Sequence, residues 1–240
     1  MSLKIALFGY GKMGKEIEAI AKEKGHSIVL IVDENNAATI SVADLKKADV
    51  AIEFSTPLTA VENIYKCFAA ELPVVVGTTG WYERFDEVKH KCETNNGALL
   101  HATNFSVGVN LFFEMNRKMA VLMSGHKEYD VIVEEVHHVH KKDAPSGTAL
   151  TTAADIIKHG NKKTSWRLNE SNAADVLRVD AIRLDEVPGT HSVFYKSDID
   201  FIELKHVAHS RKGFAAGAVV AAEWLQHKKG IFTMKEVLGF

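Results

Sequence analysis

Lys4-Ile5-Ala6-Leu7-Phe8-Gly9-Tyr10-Gly11-Lys12-Met13-Gly14 is a strand-length apolar run that feeds directly into a glycine turn. Behind the turn, apolar positions recur at helical spacing from about Lys12 to Lys24, and Gly25 supplies the stop. His26–Val32 then reads as a second apolar strand, ending at Asp33. In G-x-G-x-x-G the first glycine permits a tight turn, the second lets backbone approach a pyrophosphate, and the third lets helix pack on strand. The helix N-terminus adds free N–H groups and the positive end of its dipole. The hexapeptide alone is weak, because glycine turns are common. Its context is stronger: strand, turn, helix and strand arrive in order, and Asp33 stands 19 residues past Gly14, where an acid grips ribose hydroxyls. A dinucleotide site is therefore preferred over a merely structural turn.

Working outward, Asp49–Phe54, Pro73–Gly77 and Ala98–Ala102 are further short apolar strands, the first two followed by polar turns and helical stretches. Strands alternating with helices predict right-handed βαβ units on one parallel sheet. The pattern changes after Asn104. Val109–Met123 reads as one long amphipathic helix, and Tyr129–His140, Leu177–Leu184 and Ser192–His206 alternate polar with apolar residues, as an open mixed or antiparallel sheet covered on one face requires. Phe214–His227 returns to an alanine-rich helical pattern. The expected fold class is α/β: a Rossmann-type doubly wound parallel sheet, with a second α+β domain built on an open mixed sheet. The expected boundaries are 1–104 plus 211–240 for a discontinuous dinucleotide-binding domain and 105–210 for an inserted substrate-binding and oligomerisation domain.

Ligands of open α/β sheets bind at the carboxyl ends of the strands. Gly77-Thr78-Thr79-Gly80 and Ala102-Thr103-Asn104-Phe105 both follow predicted strands, and their small side chains and hydroxyls suit the nicotinamide end of a cofactor. Taken singly, each could be an ordinary turn. Asp33 is followed by Glu34, Asn35 and Asn36 with no basic residue beside it, so a 2′-phosphate would meet like charge there. That favours NADH, while Lys12 in the turn keeps NADPH open.

The second informative stretch is Glu134-Glu135-Val136-His137-His138-Val139-His140-Lys141-Lys142-Asp143-Ala144-Pro145-Ser146-Gly147-Thr148. If the strand persists, period two places His137 and Lys141 on one face and His138 and His140 on the other. An imidazole able to deliver a proton near neutral pH, beside a permanent cation, suits chemistry on a developing anion. Ser146-Gly147-Thr148 opens a helix over Ala149–His159, and N–H groups and hydroxyls at a helix start make a carboxylate site. The competing structural reading is a strand end with surface histidines and a helix for which Ser146 is only the cap. A metal held by His138 and His140 with His206 or His209 is disfavoured by the adjacent lysines, and no metal is expected.

Whole-chain properties narrow the class. A net charge of -2 gives no global case for nucleic acid or an anionic membrane, and the longest apolar runs are strand-length, far short of a membrane span of about 20 residues. Cys67 and Cys92 fall inside predicted helices and form no zinc or CxxC pattern. With a strand starting at once and no leader pattern, a reduced, cytoplasmic protein is expected. A semialdehyde dehydrogenase would need an activated thiolate at a loop or helix start, which neither cysteine provides. A dinucleotide-sensing protein without catalysis would have no need of the His137/Lys141 pair.

Several of these segments together resemble the 4-hydroxy-tetrahydrodipicolinate reductase (dihydrodipicolinate reductase) family nearly end to end. They are the glycine turn with Lys12-Met13-Gly14, Phe54-Ser55, Gly77-Thr78-Thr79-Gly80, Asn104–Asn110, His137 to Thr148, and Ser210-Arg211. The resemblance implies an NAD(P)H-dependent oxidoreductase of the diaminopimelate route to lysine. It implies His137 as proton donor, Lys141 as a second one, and His138, Ser146, Gly147 and Thr148 on a small cyclic dicarboxylate. It places the cofactor on Gly9, Tyr10, Gly11, Lys12, Met13, Gly14, Asp33, Phe54, Ser55, Gly77, Thr78, Thr79, Ala102, Thr103, Asn104 and Phe105. It further implies a homotetramer assembled through the second domain's sheet. The glycine turn is one residue shorter than the family's common form.

Overall fold

A computed structural model describes residues 2–160, 162–170, 173–210 and 212–240. In chain order, the first part carries β1 (Lys4–Phe8), α1 (Lys12–Glu23), β2 (Ser27–Val32), α2 (Val42–Leu45), β3 (Val50–Glu53), α3 (Pro57–Ala69), β4 (Val74–Val76), a 3-10 turn (Tyr82–Arg84), α4 (Phe85–Thr94) and β5 (Ala98–His101). The middle carries α5 (Val107–Met123), β6 (Asp130–His137), α6 (Gly147–His159), β7 (Ser165–Leu168), β8 (Val176–Arg183), β9 (Thr190–Lys196) and β10 (Phe201–Val207). The tail carries α7 (Lys212–Leu225), β11 (Gly230–Phe232) and α8 (Met234–Leu238). The chain forms two compact units, Met1–Val107 with Lys212–Phe240, and Gly108–Arg211.

The first unit is built on a six-stranded sheet in the order β11-β5-β4-β3-β1-β2, parallel throughout. The strands β1, β3 and β4 are buried on both faces, as a parallel sheet between two helix layers requires. Alternate side chains serve two cores. Ile5, Leu7 and Ile52 pack with Ile17 of α1 and the alanines of α7, while Ala6, Phe8 and Ala51 pack with Val61, Ile64 and Phe68 of α3. Burying an aliphatic side chain contributes roughly 1.5–3 kcal/mol, so these two layers hold the sheet rigid beneath its loops. Strand order reverses between β2-β1 and β1-β3, which sets the crevice beyond the carboxyl ends of β1 and β3.

The second unit is a five-stranded sheet, β10-β9-β6-β8-β7, mixed as expected: β6 runs parallel to β8 and antiparallel to β9. One face is covered by Phe112 and Ala120 of α5 and Ala149, Ala153 and Ile156 of α6, packed on Val131, Val133, Leu177, Val179 and Val193.

Two strand expectations need correction. The stretch Tyr129–His140 is strand only to His137, because β8 stops at Arg183 opposite it and β9 begins at Thr190 opposite Val136. Beyond that the Val139 N–H reaches the Asp185 carbonyl at 3.1 Å, and the chain then folds into a turn closed by the Lys141 N–H on the His138 carbonyl, 3.1 Å. Ser192–His206 is a hairpin of two strands, with Asp200 and Ser197 closing the turn between them. Strand β7, strand β11 and helix α8 have no counterpart in the sequence reading, since three to five residues carry too little periodicity. Of the pair Ser210-Arg211, Arg211 lies outside the described residues.

Candidate active site

In the first unit the turn after β1 has the properties a pyrophosphate needs. Gly9 adopts φ +87, and a Cβ there would fall 2.8 Å from Cα of Ser55, so the turn passes close under the end of β3. A Cβ on Gly14 would press on the Gly9 carbonyl, which is the close helix–strand approach expected of the third glycine. At Gly11, by contrast, no atom lies within 4 Å of the missing Cβ: the backbone faces open space. Gly11 caps α1 with no side-chain hydrogen bond, and the first turn carries no acid, so the N–H groups and the dipole remain available to an anion. Lys12 is exposed there, Met13 packs into the core, and the Tyr10 hydroxyl donates to Glu18. The residues present therefore fit a dinucleotide.

Asp33 follows β2, and its Oδ1 accepts the Asn35 N–H at 2.9 Å, while the Asn36 side chain accepts the Asp33 N–H at 2.9 Å. A basic residue distant in sequence does reach this loop: the ammonium of Lys66 donates to the Ala37 carbonyl at 2.7 Å.

Next to the turn, the loops after β3, β4 and β5 meet around Phe54. Its ring lies 5.8 Å from that of Phe105, and it fills the space a side chain on Gly77 would take. Thr78 is buried, whereas Thr79 and Thr103 are exposed and Ala102 and Asn104 are half-buried; Asn104 accepts the Ser106 N–H at 2.9 Å. Glu53 was missed by the sequence reading. It is fully buried at the end of β3, where burial pushes its carboxyl up against the opposing hydrogen bonds of Ser55 and Thr78. It accepts the Ser55 N–H at 3.0 Å and the Asn63 side chain at 3.4 Å, tying the loop after β3 to α3. An acid closing an otherwise apolar strand was the available signal.

In the second unit His137 ends β6 nearly buried, its Nδ1 2.9 Å from Glu135 Oε2. Glu135 is completely buried, and its Oε1 accepts the Arg183 guanidinium at 3.1 Å and the Ser146 N–H at 3.1 Å. Burial alone would raise the Glu135 carboxyl; His137, Ser146 and Arg183 outweigh it and hold it at about 2. His191 lies beside them, its Nε2 3.2 Å from Ser146 Oγ, and burial, followed by repulsion from His137, pulls it down to about 3. Among the described residues, the three His, Cys, Asp or Glu side chains whose donor atoms gather within 4.8 Å are Glu135, His137 and His191, not His138, His140, His206 or His209. Glu135 and His191 were not singled out from the sequence. The signal for Glu135 was there, because Val131, Val133, Glu135 and His137 share the buried face at period two.

Lys141 leaves the strand and is held by Asp143, with Nζ 2.8 and 2.9 Å from its two oxygens. The shared face with His137 expected from strand periodicity therefore does not form. His138 is half-buried; His140 is exposed, 3.4 Å from Glu186. Ser146 caps α6, accepting the Ala149 N–H at 3.2 Å, so its hydroxyl is turned inward to the helix and to His191. Gly147 is exposed with nothing within 4 Å of a would-be Cβ, Thr148 is half-buried beside it, and the first turn of α6 has no acid. This leaves the Gly147 backbone exposed at the start of α6, at the far end of the loop that carries Lys141.

The chain matches two family models, "Dihydrodipicolinate reductase, N-terminus" over residues 3–105 and "Dihydrodipicolinate reductase, C-terminus" over residues 108–238. It is 48% identical to the 4-hydroxy-tetrahydrodipicolinate reductase of Christiangramia forsetii, over 98% of both chains. With that of Methanosarcina barkeri it shares 35% identity over 98% of this chain and 89% of the other. The dipicolinate-bound dihydrodipicolinate reductase of Paenisporosarcina sp. TG-14 has the same fold, with a TM-score of 0.79 at 23% identity over 97% of this chain and 98% of that one. With both halves of the sequence matched, the chain belongs to the dihydrodipicolinate reductase family.

Proposed function

We propose that this chain reduces 4-hydroxy-tetrahydrodipicolinate to tetrahydrodipicolinate with loss of water, in the diaminopimelate route of lysine biosynthesis. Relatives matched along almost the whole length carry that activity in their names. The observation that carries the reading is the placement of an imidazole, His137, at the end of β6, followed within one short loop by Lys141 and by the start of α6, whose first turn exposes Gly147 and carries no acid.

The site around the Gly9–Gly14 turn would hold a nicotinamide dinucleotide, with the loops at Phe54–Ser55, Gly77–Thr79 and Ala102–Phe105 toward its nicotinamide end. Such a nucleotide supplies, when bound, a hydride from C4 of its nicotinamide. We take NADH as the favoured form, because Asp33 and Glu34 would oppose a 2′-phosphate.

The chain's own residues do the rest. The N–H groups of Gly147 and Thr148, with the Thr148 hydroxyl and His138, receive a ring carboxylate of the substrate, which places the ring next to His137. The hydroxyl leaves as water with a ring proton, hydride adds to the conjugated ring, and His137 returns a proton to the neighbouring carbon. One hydride and one proton are consumed per turnover. Lys141 offers positive charge to the electron density that builds on the ring, and its pairing with Asp143 keeps it near that loop. Dipicolinate, which the Paenisporosarcina reductase binds, is a flat ring with two carboxylates and suits the same surface.

The sheet of the second unit has an open face on which Phe201, Val207 and Ile182 are exposed, and we place the homotetramer contact there. A cytoplasmic enzyme agrees with two buried, unpaired cysteines.

The test follows nicotinamide absorbance with freshly generated hydroxy-tetrahydrodipicolinate and NADH or NADPH in turn. Oxidation with at least one is expected; none with either defeats the assignment. Replacing His137 by Gln should lower kcat by about 10²–10⁴-fold, the usual contribution of general acid catalysis, with NADH binding intact. A nucleotide sensor without catalysis would have no turnover to lose.

A further inference from the structure

We infer that Glu135 is a positioning residue for the reaction: it holds His137 by the Nδ1 edge, leaves Nε2 as the atom that meets substrate, and locks the carboxylate-binding end of α6 to the same point. The inference rests on the function proposed above and gives a role to a residue that touches neither substrate nor cofactor.

The geometry joins three elements on one carboxylate. Oε2 lies 2.9 Å from His137 Nδ1 and 3.9 Å from His191 Nε2. Oε1 takes the Ser146 N–H, which opens α6, and the Arg183 guanidinium at the end of β8. Arg183 in turn donates to the carbonyls of Asp143, at 2.6 Å, and Lys141, at 3.4 Å, so the loop between β6 and α6 is fixed from the same side. A carboxylate with no exposure at all is costly to keep charged unless it is paired and hydrogen-bonded. Here every partner belongs to the reactive segment or braces it.

Beside the other edge of the ring stands Gly189, which has no side chain. A Cβ on Gly189 would lie 3.0 Å from His137 Nε2 and 3.3 Å from Cδ2. Glycine at that position keeps the Nε2 edge open, while Glu135 occupies Nδ1. Oε2 lies against Nδ1 without forming an aligned N–H···O bond, so the carboxylate acts by its charge: it favours the proton on Nδ1 and leaves Nε2 as the nitrogen that gains and delivers one.

The charged and titratable groups around the Glu135–His137 pair come from each neighbouring element. They are Glu135 on β6, Lys141 and Asp143 on the loop, Arg183 on β8, and His191 on β9, with His206 on β10 behind His191. His191 is held neutral, so Glu135 is the anion in contact with the ring and two nearby side chains are cations. Remove the charge of Glu135, and the protonated imidazole loses the carboxylate 2.9 Å from its Nδ1.

Glu135→Gln keeps the size and an acceptor for Ser146 but drops the charge. The expected result is a fall in kcat of tenfold or more, KM for the nicotinamide cofactor unchanged, and an alkaline limb of the kcat–pH profile displaced to lower pH. Glu135→Asp restores the charge, so it should return the limb toward the wild-type position while leaving kcat reduced, since the shorter side chain reaches less far. A Glu135→Gln enzyme with unchanged kcat and pH profile, lowered only in thermal stability, would make Glu135 a structural ion pair and overturn the inference. Because the variants can fail to fold, the wild-type protein supplies a second measurement. Nitrogen-15 NMR of labelled histidine, with His137 assigned by its loss in His137→Gln, should show the neutral ring protonated on Nδ1. Protonation on Nε2 overturns the inference without any variant of Glu135. Absence of turnover in the wild type would sink the functional reading and leave the tautomer measurement standing.

Discussion

Gly77 and the ring of Phe54 occupy complementary space: a Cβ on Gly77 would fall 2.5 Å from Cε2 of Phe54 and closer still to two other ring atoms. The loop after β4 is therefore shaped by the aromatic residue after β3, and Phe54 in turn leans on Phe105 after β5. Gly77→Ala forces the ring away from this position. Overpacking of this kind costs typically 1–3 kcal/mol, so a drop in melting temperature of several degrees is expected. Because Phe54 borders the loops proposed to hold the cofactor, KM for the nucleotide should rise more than kcat falls. Thermal melts and steady-state kinetics check both, and a variant with wild-type KM would show that the ring plays no part in cofactor binding.

On the function proposed above, Asp33 is expected to discriminate between nucleotides by its charge. Asp33→Asn preserves an acceptor for the Asn35 N–H, so the turn survives, while the repulsion of a 2′-phosphate is relieved. Hydrogen bonds to a charged group contribute about 1.5–3 kcal/mol, so KM for NADH should rise about tenfold or more, and the NADPH/NADH ratio of kcat/KM should increase. An unchanged ratio would place the discrimination elsewhere, with Lys12 the first residue to examine.

The buried charge cluster makes the second unit acid-sensitive in two windows. His191 stays neutral in the folded protein down to about 3, whereas an unfolded histidine takes a proton near 6.5. Between those values the unfolded chain binds the extra proton, so stability falls as pH drops, by up to about 1.4 kcal/mol per unit. Glu135, held at about 2, contributes stability that is complete above the ordinary carboxylate range and is lost as pH falls toward 2. His191→Gln should flatten the stability profile between about pH 6.5 and 4.5 and leave the lower window in place. Urea unfolding at a series of pH values reads this directly; an unaltered slope in the upper window would contradict it.

Ser146 and Thr148 should separate into a structural and a binding residue. Ser146→Ala removes the cap of α6 and the contact with His191, at a cost of about 1 kcal/mol for the cap, yet it keeps the N–H that Glu135 accepts. Its melting temperature should fall by a few degrees with a small change in substrate KM. Thr148→Ala should do the reverse, raising KM for the dicarboxylate several-fold at nearly unchanged stability. If Ser146→Ala instead shows the large KM effect, its hydroxyl turns outward to the substrate.

Much of this molecule is written in short stretches. Lys4–Val32 announces a Rossmann start because each requirement is local: apolar residues for a strand buried on both faces, glycines where φ is positive or backbones touch, and helical spacing behind them. The segment from His137 to Thr148 is equally readable as chemistry, since its residue types and order alone mark it. The mixed sheet of the second unit also followed from its alternating pattern.

What could not be read is whatever depends on partners far away along the chain. β6 ends at His137 because its neighbours end there, and a periodicity within one strand carries no information about the length of another. Lys141 thus turned out to pair with Asp143 in a loop, not to share a strand face with His137. Glu135 is an ordinary acid in sequence; it becomes a buried, fully engaged carboxylate only because folding brings Arg183 to it from 48 residues away and His191 from the next strand. Local spacing names the groups capable of chemistry, and long-range packing sets their charge and the direction in which they point, because desolvation and pairing exist only once the chain has closed around them.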